Sequence, residues 1–516
     1  MSISPRPLQR RSRILTATAA AALLMTAACG GGSDSPDASP SAEKLAIAIQ
    51  APPSSFEVTR LDGGQAAYVW ASVYDTLLYT DEKGQIQPNA AESYTYSEDR
   101  KTLTFKLRAG MAFSSGAPVN AAAAKASLDA VRTTPGLGQS NLASIDSVEA
   151  ADDLTVVVKL KEPDDSLVPY LAGGSSAIAD PAAMKQPDAA TNPVASGPYT
   201  LDKGATVSGS SYTLKKREDY WNAAAYPFET IQVKVMPDRA AVVNALRAGE
   251  LNAGSVDSSQ VETLKSAGLR IEQIKASSVA TLFLADREGD KLEPLGDLKV
   301  RQAINMAFDR AKLVQTVLRG TGMPTAQLFN PKGRAYDAAL DELYPYDPAA
   351  AKKLLAEAGY AQGFEVTMPS FVTTKPLEPV IAQSLADIGV KVTWESVPLQ
   401  QQFTALGSAK YPMYFGIYGL DHDPLLVDTY TAPGTPTNPF KSADPELTKL
   451  IGDADKAGDP AEADEAYKKI NQFFVKNAWF APVMDIGMSW VTAKGITYLG
   501  DGSSAAISIR YFGTSD

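Results

Sequence analysis

Cysteine and histidine are almost missing from this sequence. Among 516 residues there is one of each, Cys29 and His422. No disulfide can close within the chain. A Cys/His zinc site cannot be assembled from this chain alone, and a Ser-His-Asp triad would have to use His422. Basic charge is also short, with 48 Lys+Arg against 59 Asp+Glu and a net charge of −11. That balance argues against nucleic acid, whose phosphates demand a basic surface. After the first 28 residues, no uncharged apolar run reaches the roughly 20 residues of a membrane-spanning helix. Counting leaves carboxylate-only chemistry such as glycoside hydrolysis open. With 59 acidic residues, however, some pair is always available, so that feature has no weight. What remains is an ordinary globular composition, 45% hydrophobic and 21% charged. Its length suits about three domains or two large lobes.

The first residues read as an address. Arg6, Arg10, Arg11 and Arg13 precede an apolar, Ala-rich run over 14–28 that ends in small residues. This is the layout of a secretory signal, expected over 1–28. Cys29 directly follows Leu-Met-Thr-Ala-Ala, which resembles the bacterial lipobox, although Thr26 stands where Leu is commoner. Cys29 is therefore the expected lipidation site and mature N-terminus. The Gly-, Ser-, Asp- and Pro-rich stretch within 29–43 reads as a flexible tether. Loss of the leader takes the balance to about −15, so acyl chains rather than charge would hold the protein at the outer face of the cytoplasmic membrane.

Beyond the tether, strand and helix signals alternate. Strands are expected over 45–50, 102–108, 154–160, 230–236, 364–369 and 390–397, several with clean period two. Helices are expected over 65–78, over 121–132 behind Asn120, and over 239–248 behind Asp238. A long helix is expected between Asp297 and Gly320, and another over 349–358 behind Asp347-Pro348. Most of these place an oxygen acceptor at the N-cap and a glycine just past the end. The alternation predicts an α/β architecture.

Six segments, in order, resemble the extracytoplasmic solute-binding proteins of ABC importers, peptide/nickel-binding class (family 5). They are PNAAESY at 88–94, LTFKLRAGMAFSSGAP at 103–118, SGPY at 196–199, DYW at 219–221, LKVRQAI at 298–304 with Asp309-Arg310, and YDP at 346–348 followed by LLAEAGY at 354–360. The resemblance spans about 45–500. It implies a two-lobed periplasmic-binding-protein fold with hinge strands, an extra inserted subdomain and a ligand cleft between the lobes. On that pattern lobe I takes 44–80, 187–285 and 488–516, the insertion 81–186, and lobe II 286–487. Residues 281–285 would be a hinge strand. The implied role is capture of a solute for a membrane permease, without catalysis, cofactor or bound metal, by a monomer. An oligopeptide is the first candidate solute, and an oligosaccharide, metal chelate or other small organic solute the alternative. Transport energy would come from an ATPase elsewhere, in keeping with the missing G-x-x-x-x-G-K-[ST] phosphate loop. An extracellular hydrolase or a sensory binding protein is a more distant alternative.

A cleft ligand needs polar groups for orientation and apolar walls for burial. Candidate contacts are Ser54, Ser55 and Phe56 after the first strand, Ser196 and Gly197 in the SGPY turn, and Phe371. Tyr414, Tyr418, Asp421, His422 and Asp423 form a further group, with Trp490 facing either the cleft or a core. In peptide-binding relatives an Asp four residues before the Pro of this segment pairs with the peptide ammonium. Here that position is Leu420, and Asp421 stands three before Pro424. Asp421 or Asp423 is the expected partner of a ligand cation. His422 between them reads first as a hydrogen-bonded loop residue.

Overall fold

The computed structural model describes residues 43–398 and 401–515. The expected leader, the lipidation site at Cys29 and the tether up to residue 42 lie outside the described residues. No helix among the described residues is long and apolar enough to cross a membrane.

The first strand, Lys44–Ile49, pairs in parallel with Thr230–Val235. That strand continues antiparallel to Ser211–Lys216 and then to Tyr199–Leu201. A second sheet runs Ala91–Tyr96, Thr102–Leu107, Thr155–Leu160, Ile145–Ala150. Period two explains it: Leu103, Phe105 and Leu107 are all buried while their neighbours are partly open. The helix Ala121–Thr133 covers this sheet, and Asn120 caps it by accepting from the Ala123 N–H at 3.0 Å. Both sheets contribute to one continuous core.

A third sheet joins this half to the rest. Its central strands are Arg270–Leu284 and Phe480–Thr492, flanked by Ala253–Val256, Met413–Gly419 and Gly322–Pro324. The two central strands are long enough to serve two cores. Ile274 and Trp490 pack into the first core, whereas Ala276, Phe283 and Phe480 pack into a second. The register between the strands shifts at Ile274/Ser278, where the chain passes from one core to the other. Residues 281–285, expected as the hinge, lie beyond that crossing and inside the second half. On the return strand Ile486 packs with the second half and Met488 with the first.

Two expected helices come out differently. The helix expected over 65–78 is a 3-10 turn, Gly64–Ala66, leading into Ala67–Val73. The chain straightens at Tyr74 because the Leu77 carbonyl is needed by the N–H groups of Asn89 and Ala91. Leu78 then starts a hairpin of Leu78–Thr80 with Ile86–Pro88. The long helix expected between Asp297 and Gly320 is two helices, Leu298–Asn305 and Arg310–Val317. Asp309 caps the second by accepting from the Lys312 N–H at 3.1 Å. The break seats the buried Arg310 guanidinium among the carbonyls of Thr325, Tyr344 and Pro482 and the Asn305 side chain, at 2.9–3.2 Å. A straight helix would carry that charge away from these acceptors, and a buried cation without partners is costly.

Candidate functional site

The strand Met413–Gly419 delivers the chain to the face where the two halves meet. Leu420 is fully buried, and its N–H donates to the Ser277 carbonyl at 3.0 Å. That anchor turns Asp421 and His422 outward before the helix Asp423–Thr431, with Pro424 in its first turn. Two cavities adjoin there and share Asp421 and His422, one of about 310 Å³ and one of about 450 Å³.

His422 bridges the halves. Its Nδ1 lies 2.9 Å from Asp421 Oδ1 and its Nε2 lies 3.1 Å from the Gly84 carbonyl, at the tip of the 78–88 hairpin. Both partners are acceptors, so the doubly protonated ring satisfies both contacts. Burial opposes that charge. The Asp421 carboxylate and the Gly84 carbonyl outweigh it, and the His422 pKa is raised. Asp421 is heavily engaged: Oδ1 also receives the His422 N–H at 2.8 Å and Ser504 Oγ at 3.2 Å. Asp423 lines only the larger cavity. Burial pushes its carboxyl up to about 6, although the Ala335 N–H, at 3.3 Å, works the other way.

The larger cavity is open, and three of its cations already have carboxylate partners. Arg100 pairs with Asp165 at 2.9 Å, Lys332 with Asp501 at 2.7 Å and Arg334 with Asp464 at 2.9 Å. The smaller one has the character of a ligand site, with aromatic walls and polar groups set among them. Trp70, Tyr79, Tyr226 and Tyr511 wall it, and Asn89 and Arg510 supply polar atoms. Arg510 lies over the Tyr79 ring at 4.0 Å and 5.0 Å from Tyr226. Its Nη2 donates to Asn89 Oδ1 at 2.8 Å. Behind Asn89, Asp75 is fully buried. Burial pushes its carboxyl up to about 6 against the Tyr220 hydroxyl, which donates to it at 2.7 Å.

Further contacts join the halves around these cavities. Tyr170 Oη donates to Asp428 Oδ2 at 2.6 Å. The Asp165 N–H donates to Asp455 Oδ1 at 3.2 Å, and Arg100 Nε to the Asp455 carbonyl at 3.0 Å. Asn330 Nδ2 donates to the Gly502 carbonyl at 3.0 Å.

The residues expected at the site are scattered. Asp421 and His422 come together on both cavities. Ser54 is instead tied to Asp62, through its N–H at 2.5 Å and its hydroxyl at 2.9 Å. Ser55 is buried with its hydroxyl on the Glu57 N–H, and Phe56 belongs to the first core. Ser196 is buried and accepts from the Asp75 N–H at 3.3 Å. A Cβ on Gly197 would lie 2.5 Å from the Val73 carbonyl carbon, so close packing accounts for that glycine. Phe371 is inside the second core. Tyr414 stacks on Phe283 at 4.4 Å and donates to the Pro436 carbonyl at 2.9 Å. Tyr418 faces the same ring cluster, 5.8 Å from Tyr430. Trp490 stacks on Tyr498 at 4.5 Å and is buried. Neither cavity is lined by these last four residues. Conversely, Tyr79, Asn89, Tyr226 and Arg510 were not expected at the site. Each is locally ordinary, and no spacing in the chain links them. Among the described residues no three His, Cys, Asp or Glu side chains gather as metal ligands would.

Comparison with known proteins adds kinship to this geometry. The family model described as "Bacterial extracellular solute-binding proteins, family 5 Middle" matches residues 85–440. The glutathione-binding protein GsiB of Escherichia coli K12 is 28% identical over 445 residues, which is 83% of this chain and 86% of that protein. Two solved structures share the fold at 23% identity and a TM-score of 0.77. They are the periplasmic binding protein DppA of Helicobacter pylori with the peptide STSA, and NikA of Brucella suis with Fe(III)-EDTA. The first covers 91% of this chain and 97% of its own length, the second 92% and 100%.

Proposed function

This chain belongs to the bacterial extracellular solute-binding proteins of family 5, and from that premise we propose that it closes around a small solute in the 310 Å³ cavity and passes it to an ABC permease. Binding proteins of this family hold their solute without altering it, so the chain is not an enzyme. One observation carries the choice of cavity: the smaller space is walled by aromatic rings from one half and closed by Asp421, His422 and Leu425 from the other. Its volume sits at the low end of ordinary ligand sites, which suits a short peptide or an organic solute of that size. The names of the relatives cover glutathione, a peptide and Fe(III)-EDTA. Lipidation at Cys29 and a monomeric state complete the proposal. The first rests on the lipobox-like residues before Cys29 and the second on the family resemblance, and mass spectrometry of the native N-terminus tests the first.

The function is tested by thermal denaturation with di- to pentapeptides, glutathione, oligosaccharides and nickel-histidine. A ligand at 100 times its dissociation constant adds about 2.7 kcal/mol to stability. The expected result is a rise of a few degrees with one class. Stabilisation by none, together with unaltered solute uptake in a strain lacking the gene, would refute the reading.

A further inference from the structure

We infer that Arg510 is the anchor for a carboxylate of the bound solute, so that this cavity selects its ligand by an anionic group. This rests on the proposal that the 310 Å³ cavity is the solute site.

Arg510 is an unusual arginine in this protein. A guanidinium carries five N–H donors in a rigid planar fork. Here Nη2 donates to Asn89 and the Tyr226 hydroxyl is a second hydrogen-bond partner, which leaves most of the five donors open. It forms no ion pair with any carboxylate among the described residues, although most of the other cavity-lining cations do. Asp75 is the nearby acid, and it acts on Arg510 only through space. The Asp75 carboxyl is held by Tyr220 and lies within 3.4 Å of Asn89 Nδ2. The position of Arg510 is nonetheless well determined. Tyr79 and Tyr226 both lie within 5.0 Å of the guanidinium carbon, and Asn89 holds one corner. A positioned, half-buried fork with unused donors on a cavity wall is suited to an oxyanion, and its planarity matches a carboxylate in two parallel hydrogen bonds.

The opposite wall argues the same way. Asp421, expected to receive a ligand ammonium, accepts three hydrogen bonds on Oδ1. The His422 ring beside it, whose pKa is raised by Asp421 and the Gly84 carbonyl, offsets the carboxylate charge whenever the ring is protonated. The Trp70 indole N–H is engaged with the Asp62 carbonyl at 2.7 Å, and Asn141 Nδ2 with Ser175 Oγ at 3.1 Å. Arg510 is thus the cation of this cavity with open hydrogen-bonding capacity, since both ring nitrogens of His422 are engaged.

The test is calorimetry on the full chain with matched probes: trialanine and glutathione, trialanine amide and glutathione diethyl ester, and neutral maltotriose. We expect at least one free acid to bind about 30-fold or more tightly than its amide or ester. Arg510→Gln should erase that preference. Arg510→Lys keeps the charge but not the fork and should retain a reduced preference, which guards against a folding defect in the Gln variant. Thermal melts of both variants without ligand report folding directly. Equal binding of acid and amide, or an unchanged preference in Arg510→Gln, would overturn the inference. Binding of maltotriose alone would overturn it too, while leaving solute capture intact. Binding of no probe from either class would count against the cavity assignment on which the inference rests.

Discussion

Contact between the two halves should weaken as the pH rises, and Asp455 sets the size of the effect. Its carboxyl lies at the junction, where burial pushes it up to about 7 from an ordinary value of 3.8. The Asp165 N–H at 3.2 Å opposes that rise, while Asp164, Asp165 and Asp428 add to it. The nearby cation, Arg100, is directed to the Asp165 carboxylate and to the Asp455 carbonyl rather than to the Asp455 carboxylate. An acid whose pKa is raised by contact favours contact fully below its free pKa. It loses that contribution as the pH climbs to the raised value. Between pH 5.5 and 7 the loss is 1.5 units at about 1.4 kcal/mol each, or roughly 2 kcal/mol, about 30-fold in the opening equilibrium. Partial solvent access lowers this to about 10-fold. His422 acts in the same direction, because a base with a raised pKa also holds the contact at low pH. The Asp165 amide reports opening directly. Its hydrogen-exchange protection, corrected for intrinsic rate, should fall by about 10- to 30-fold from pH 5.5 to 8. In Asp455→Asn the acceptor oxygen remains and the charge is gone, so most of that slope should vanish. A flat profile in the native protein, or an undiminished slope in the variant, would refute the reasoning.

Three further outcomes are expected. Asp485 is buried with Oδ1 unpartnered, and burial, then Asp341, raise its pKa. Asp485→Asn should therefore be more stable than the native chain in urea at pH 8 by about 1–3 kcal/mol, with the gap closing toward pH 4. A Cβ on Gly487 would lie 1.9 Å from the Thr321 carbonyl oxygen and 2.5 Å from that of Ile274. Gly487→Ala should lower stability by about 1–3 kcal/mol or more in a thermal melt, since neither contact is with a movable side chain. Asp309→Ala removes the cap of the helix Arg310–Val317. A cost of about 1 kcal/mol in urea denaturation is expected, and no change would mean the bend is held by Arg310 alone.

Much of the local structure was legible because its causes are local. Asn120, Asp238 and Asp347 each accept from a backbone N–H at the start of the expected helix. Gly249 and Gly359 take positive φ, at 72° and 94°, just past the ends. The strand Thr102–Leu107 alternates as its residues alternate. The break at Asp309 was also written in the chain, as a second cap in mid-helix, but the apolar face running through Ala307 and Phe308 masked it. What favoured the break was the set of distant carbonyls that Arg310 needs.

The sequence by itself determined the elements, the family signature and the exclusion of cysteine- and histidine-based chemistry. Each depends on which residues are present or on neighbours a few positions apart. Only the tertiary structure decided the cavity. Arg510 meets Asn89 across 421 positions and His422 meets Gly84 across 338. Those meetings exist because the strand Phe480–Thr492 returns the chain to the first core, so that its last segment lies against the 78–88 hairpin. Aromatic and polar residues of this kind are spread through the whole chain. Which of them face one small space is fixed by how the cores pack, a property that no local pattern carries.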